Sequence, residues 1–112
     1  MLRIAYNKIY LTRGDTAYLE ISITDDTGNP YALVDGDKII FRLKSTVDTK
    51  ILLLEKEFNT EILRLELKPE DTMSLKFGVY RYEVELVTGA SEHFTIIENA
   101  EFEITPELEG HL

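Results

Sequence analysis

Leu67-Lys68-Pro69-Glu70-Asp71-Thr72-Met73-Ser74-Leu75-Lys76-Phe77-Gly78-Val79-Tyr80-Arg81-Tyr82-Glu83-Val84-Glu85-Leu86 is the stretch from which the fold is read. A strand ends at Pro69, an acidic turn follows, and Gly78 launches a second strand with Tyr80 near its start. This is the shape of a β-sandwich corner, where a tyrosine hydroxyl reaches back across the turn to satisfy backbone. Pro69 suits the first position of a single helical turn, and Glu70 and Asp71 favour its positive end. Tyr80 is therefore expected to be the corner tyrosine, with Pro69, Asp71 and Gly78 shaping the turn beneath it. If that hydroxyl proved idle, Tyr82 would be the alternative.

Outward from this corner, apolar residues recur with period two, the signal of half-buried strands. Leu19, Ile21 and Ile23 alternate with polar residues, as do Ile39, Phe41 and Leu43, then Leu63, Leu65 and Leu67, then Tyr80, Tyr82, Val84 and Leu86, then Ala100, Phe102 and Ile104. Turn chemistry separates the runs at Arg13-Gly14-Asp15, Asp25 to Pro30, Asp35-Gly36-Asp37 and Thr88 to Ser91. The pattern predicts an all-β chain: an Ig-like antiparallel β-sandwich of about 7–8 strands with Greek-key connections over residues 1–105, and a C-terminal tail over 106–112. The expected core is Leu19, Ile21, Ile23, Ile39, Phe41, Leu43, Leu65, Leu67, Tyr80, Tyr82, Val84, Phe102 and Ile104.

Two places break the alternation. Near Asn7-Lys8 the phase of Ile4 and Tyr6 fails to match that of Ile9 and Leu11, which a bulge or a strand crossing between sheets would explain. Ile51-Leu52-Leu53-Leu54 is apolar on both faces, as a strand buried twice or an interface strand would be. With Ile40, which falls in the water-facing phase, these four residues are the candidate interface.

Composition narrows the function. At 112 residues with 44% apolar and 29% charged side chains, the chain is one soluble domain able to bury a core without staples. It has no cysteine, which removes disulfides, thiolate nucleophiles and cysteine zinc sites. A formal charge of −9 repels phosphate backbones and anionic lipids, so neither nucleic acid nor membrane is expected as a partner. The chain holds no apolar run long enough to span a bilayer, and its first residues lack the apolar core of a signal peptide.

No residue constellation announces a chemistry. Only His93 and His111 could serve as an imidazole base, His111 lies in the tail, and no Gly-x-Ser-x-Gly surrounds a serine. The chain is read as no enzyme, with no catalytic residue, no cofactor and no metal. Glu83, Glu85, Glu101 and Glu103 sit in the water-facing phase and are read as a solvated stripe that discourages aggregation; a groove for a cationic partner is the sharper reading. Asp25, Asp26, Asn29, Asp35 and Asp37 offer calcium-like oxygens but lack EF-hand spacing, and turns demand the same residues. Arg13-Gly14-Asp15 spells an integrin tripeptide, yet glycine and aspartate there simply build a turn.

Three stretches carry a resemblance: Leu11-Thr12-Arg13-Gly14-Asp15-Thr16 leading into Leu19-Glu20-Ile21-Ser22-Ile23, then Gly36 to Lys44, then Gly78-Val79-Tyr80-Arg81-Tyr82-Glu83-Val84. Their layout resembles Ig-like structural domains of phages and prophages of Gram-positive bacteria, with the N-terminal domain of upper baseplate proteins as the nearest type. The resemblance implies a non-enzymatic structural component of a virion tail or baseplate, made in the bacterial host cytoplasm. Its expected partners are other virion proteins or copies of itself in a homo-oligomer. The alternative expectation is a carbohydrate- or calcium-binding sandwich module using the Asp25 to Asp37 loops.

Overall fold

The computed structural model describes residues 2–5, 8–25, 27–46 and 50–106. Its strands are β1 (Leu2–Ala5), β2 (Lys8–Thr12), β3 (Ala17–Glu20), β4 (Lys38–Lys44), β5 (Leu52–Glu57), β6 (Arg64–Leu67), β7 (Gly78–Val87) and β8 (His93–Thr105), with one helical turn, α1 (Pro69–Thr72). They form two sheets, one of six strands in the order β1-β2-β8-β7-β4-β5 and one of two, β3-β6. The chain passes to the small sheet at β3, returns for β4 and β5, crosses again for β6 and returns for β7 and β8. This is the all-β sandwich read from the sequence, with the crossings of a Greek key.

Period-two patterning places each core residue. β4 buries Ile39, Phe41 and Leu43 while Ile40, Arg42 and Lys44 stay half-buried on the outer face; β7 buries Tyr82, Val84 and Leu86 in the same way. The small sheet supplies Ala17, Leu19, Leu65 and Leu67 to one continuous core. At its centre Phe41 stacks on Tyr82 with ring centroids 5.6 Å apart, and both meet the Phe102 ring edge-on at 6.0 and 6.2 Å. Tyr82 stands two residues after Tyr80, the spacing at which antibody domains place a disulfide cysteine after their corner tyrosine. In this cysteine-free chain an aromatic trio fills that place.

Two expectations are corrected. The large sheet is mixed, because β2 runs parallel to β8, with Ile9 opposite Phe102 and Thr12 opposite Thr105. The phase break near Asn7-Lys8 is neither a bulge nor a crossing: β1 and β2 are antiparallel, with Ala5 opposite Lys8, so the chain reverses between them. Tyr6 and Asn7 lie outside the described residues. Regular structure continues to Thr105, whose carbonyl accepts from the Arg13 N–H at 3.0 Å; of the tail only Pro106 is described, and His111 lies outside.

Of the expected core, Ile21 and Tyr80 are half-buried and packed against it, and the rest is buried. The expected core left out Ile9, Leu11, Ala17, Phe58 and Leu86, which are buried. β8 carries an irregularity opposite β7, where Tyr82 faces Ala100 but Val84 faces Ile97, and Asn99 takes a positive φ of 47°. The extra residues explain why Ile96 and Ile97 are adjacent yet both half-buried.

Candidate interaction surface

The corner that decides the fold is tied at four points. Tyr80 Oη donates to the Lys76 carbonyl at 2.7 Å, reaching back across the turn as a corner tyrosine does. Pro69 opens α1, and Asp71 Oδ2 accepts the Lys68 N–H at 2.7 Å. Asp71 also pairs with Lys56 of β5 at 2.7 Å, and the same ammonium donates to the Glu66 carbonyl at 2.7 Å. Lys56 thus joins the edge of the large sheet to β6 of the small one. Fully buried Thr72 accepts the Gly14 N–H at 2.9 Å, fastening the β2–β3 turn to the helix.

Two glycines serve this end of the sandwich. Gly14 has φ 81°, a conformation that favours glycine, and a Cβ there would stand 2.6 Å from Sδ of the exposed Met73 side chain, which would have to shift. Gly78 opens β7 at φ 142°, a conformation side chains resist even where space is free. In Arg13-Gly14-Asp15 the Arg13 guanidinium lies 4.3 Å from the centroid of the Phe77 ring and the Asp15 N–H bonds the Thr12 carbonyl, so the tripeptide is a packed corner.

The outer face of the large sheet is where charge gathers. Register sets Arg42 of β4 between Glu55 of β5 and Glu83 of β7. Its guanidinium reaches Glu55 at 2.8 Å, Glu83 at 3.2 Å and Glu85 at 3.0 Å, and Lys44 takes the second oxygen of Glu83 at 2.6 Å. Hydrogen bonding to Arg42, and secondarily to His93, holds the Glu85 carboxyl below its ordinary value of 4.5. The Glu55 bond and the others raise the guanidinium pKa still further. Lys8 lies between Glu101 and Glu103 at 3.6 and 3.5 Å. The acidic stripe is therefore interleaved with the chain's own cations, which corrects its reading as simply solvated.

The candidate interface residues do not form one patch. Ile40 is half-buried beside its register partners Glu57 and Glu85. Leu54 packs against the core opposite Leu43, and Leu53 is the extra residue of a bulge between the Leu43–Leu54 and Lys44–Leu52 pairs. Ile51 and Leu52 are 50% and 49% exposed. Leu52 opens β5 and Ile51 directly precedes it; β5 is the last strand of the large sheet, and its outer edge pairs with no strand among the described residues. The Ser45 N–H closes the β4–β5 connection on the Ile51 carbonyl at 3.2 Å. Glu55 and Glu57 carry charge along the rest of the edge, as natural edge strands do.

The loop acids serve turns. Asp25 Oδ1 accepts from the Thr27 N–H, the Thr27 hydroxyl and the Asn29 N–H at 2.9, 2.6 and 3.1 Å. These bonds, led by the hydroxyl, lower its pKa. Asp37 is buried, and its Oδ2 accepts the Val34 N–H at 3.1 Å and the Tyr31 hydroxyl at 3.3 Å. Asp35 is exposed, and Asp26 lies outside the described residues. Among the described residues, no three His, Cys, Asp or Glu side chains gather closely enough to hold a metal. His93 opens β8 opposite Val87 and lies 3.4 Å from Glu85, largely exposed. No helix among the described residues is long and apolar enough to cross a membrane.

No protein family matches the chain, and no curated protein or solved structure is found to be similar to it.

Proposed function

We propose that this chain is a non-enzymatic docking domain of a phage or prophage virion, a tail or baseplate part that joins copies of itself and other virion proteins. The observation that carries the docking reading is the outer edge of β5, which pairs with no further strand among the described residues and carries half-exposed Ile51 and Leu52 at its start. Such an edge offers main-chain hydrogen bonds for affinity and apolar side chains for specificity. Lys50 precedes the apolar end of β5, and Glu55 and Glu57 mark the other, so antiparallel pairing of two copies sets opposite charges against one another. The virion assignment itself rests on the sequence resemblance. Assembly in the bacterial host cytoplasm follows from it.

Light scattering after size exclusion, over a range of concentrations, tests this reading. The wild-type chain is expected to form a discrete oligomer that grows in population with concentration, and Leu52→Asp to remain a monomer. A wild-type monomer at every concentration, or a variant that associates equally well, would overturn docking through this edge.

A further inference from the structure

The bulge in β5 limits how that strand can meet a second copy of itself. On β4, alternate residues turn their backbone toward β5: the Ile39 carbonyl accepts the Phe58 N–H at 2.8 Å, and the Ser45 N–H reaches the Ile51 carbonyl at 3.2 Å. Phe41 and Leu43 share that phase, opposite Lys56 and Leu54. Alternation along the antiparallel ladder then turns the backbone of Glu55 and Glu57 outward. The extra Leu53 shifts the phase, so that Leu52 rather than Leu53 stands opposite Lys44. Residues paired across a ladder lie on one face, which puts Leu52, Glu55 and Glu57 on the outer face beside Lys44, Arg42 and Ile40.

A two-fold antiparallel pair is reciprocal: where one residue faces another, the second faces the first. Glu55 opposite Glu55, Glu57 opposite Glu57, or Glu55 opposite Glu57 would set like charges side by side, which destabilises a strand pair. Leu52 opposite Glu57 would bring outer-face Glu55 against Leu54, which packs on the core side. Leu52 opposite Leu52 would bring Lys50 against the same Leu54. Leu52 opposite Glu55 keeps outer-face residues together, and it alone sets Lys50 against Glu57. Both of those charged residues are exposed. Glu55 is already held by Arg42, whereas Glu57 enters no ion pair among the described residues.

Granted docking through β5, on which this rests, we propose that two copies join in that one register, Leu52 facing Glu55 and Lys50 facing Glu57 of the second copy across a two-fold axis. Charge complementarity selects the occupant: an edge with lysine at one end and glutamates at the other matches its own reverse. The two large sheets run on into a single sheet with their charged faces on the same side. Both β5 edges are used up, so association through them closes at two copies and does not grow into a fibre. Other partners are left to engage a different surface.

Charge reversal separates this register from docking in general. In a two-fold pair Lys50→Glu sets like charges together twice, and so does Glu57→Lys. Each variant alone should dimerise at least about tenfold more weakly than wild type in sedimentation equilibrium at low salt. Mixed one to one, the two variants should regain the wild-type dissociation constant as a heterodimer, because each introduced charge then meets its opposite. Native mass spectrometry with one variant isotopically labelled identifies that species. The recovery also shows that both variants are folded. A dimer that Leu52→Asp abolishes but neither reversal weakens, or a mixture no tighter than its components, would overturn the register and leave docking through β5 standing. A wild-type chain that stays monomeric would overturn both.

Discussion

Phe41 and Arg42 are neighbours on β4, yet they are held by different physics. Phe41 is fully buried, stacked on Tyr82 and met edge-on by Phe102. Arg42 lies on the opposite face of the same strand and is held by three carboxylates from β5 and β7. The inner contact is non-directional and depends on filling volume. The outer one is directional and depends on strand register placing opposite charges side by side. One face makes the sandwich stable, and the other fixes which strands align.

The comparison breaks most visibly at Phe41. Phe41→Ala removes the centre of the trio and should cost about 3–5 kcal/mol in denaturant unfolding, the scale of a large cavity in a core. A loss under about 1 kcal/mol would mean that the trio is not the centre of the packing.

Tyr82 sharpens the same face through pH. Burial pushes its phenol up to about 12, against an ordinary value near 10. A raised folded pKa means that its contribution is complete below about pH 10 and is lost as pH rises toward about 12, on the order of 2–3 kcal/mol. Tyr82→Phe should flatten that alkaline decline, and an unchanged profile would place its cause elsewhere.

On the outer face, Arg42→Ala leaves Glu55, Glu83 and Glu85 without their shared cation and should cost about 1–2 kcal/mol. The Glu85 carboxyl is held below 4.5, so its contribution is present above that pH and lost as pH falls through the folded value. The variant should therefore show a shallower acid decline than wild type, and parallel acid profiles would contradict the clasp. Tyr80→Phe has the smallest expected effect, about 1 kcal/mol for one hydrogen bond.

The inner face could be read directly, because burial follows residue type and period: Ile39, Phe41, Leu43 and Val84 needed only alternation. The corner was legible for a related reason. Pro69, Asp71, Gly78 and Tyr80 lie within one turn and its flanks, so their spacing along the chain is nearly their spacing in the fold. Lys56, Thr72 and the Arg42 clasp were not legible, since each meets partners set by pairing across strands. Thr72 bonds a residue 58 positions away, and no local pattern marks such a contact. The reversal between β1 and β2 was misread because a phase break does not say whether the strand bulges, crosses or turns. At Ile51 to Leu54, an apolar run on an edge strand resembles one buried on both faces until the sheet order is known.

The docking edge is the outermost test of the comparison, for β5 supplies Leu54 to the core and Glu55 to the clasp while presenting Leu52 outward. Hydrogen exchange by mass spectrometry across a concentration series, resolving residues 50–57, tests it most directly. Protection should rise with concentration in that segment of the wild-type chain and should not rise in Leu52→Asp. Protection that stays constant in β5, or that rises only elsewhere in the chain, would contradict docking through this edge.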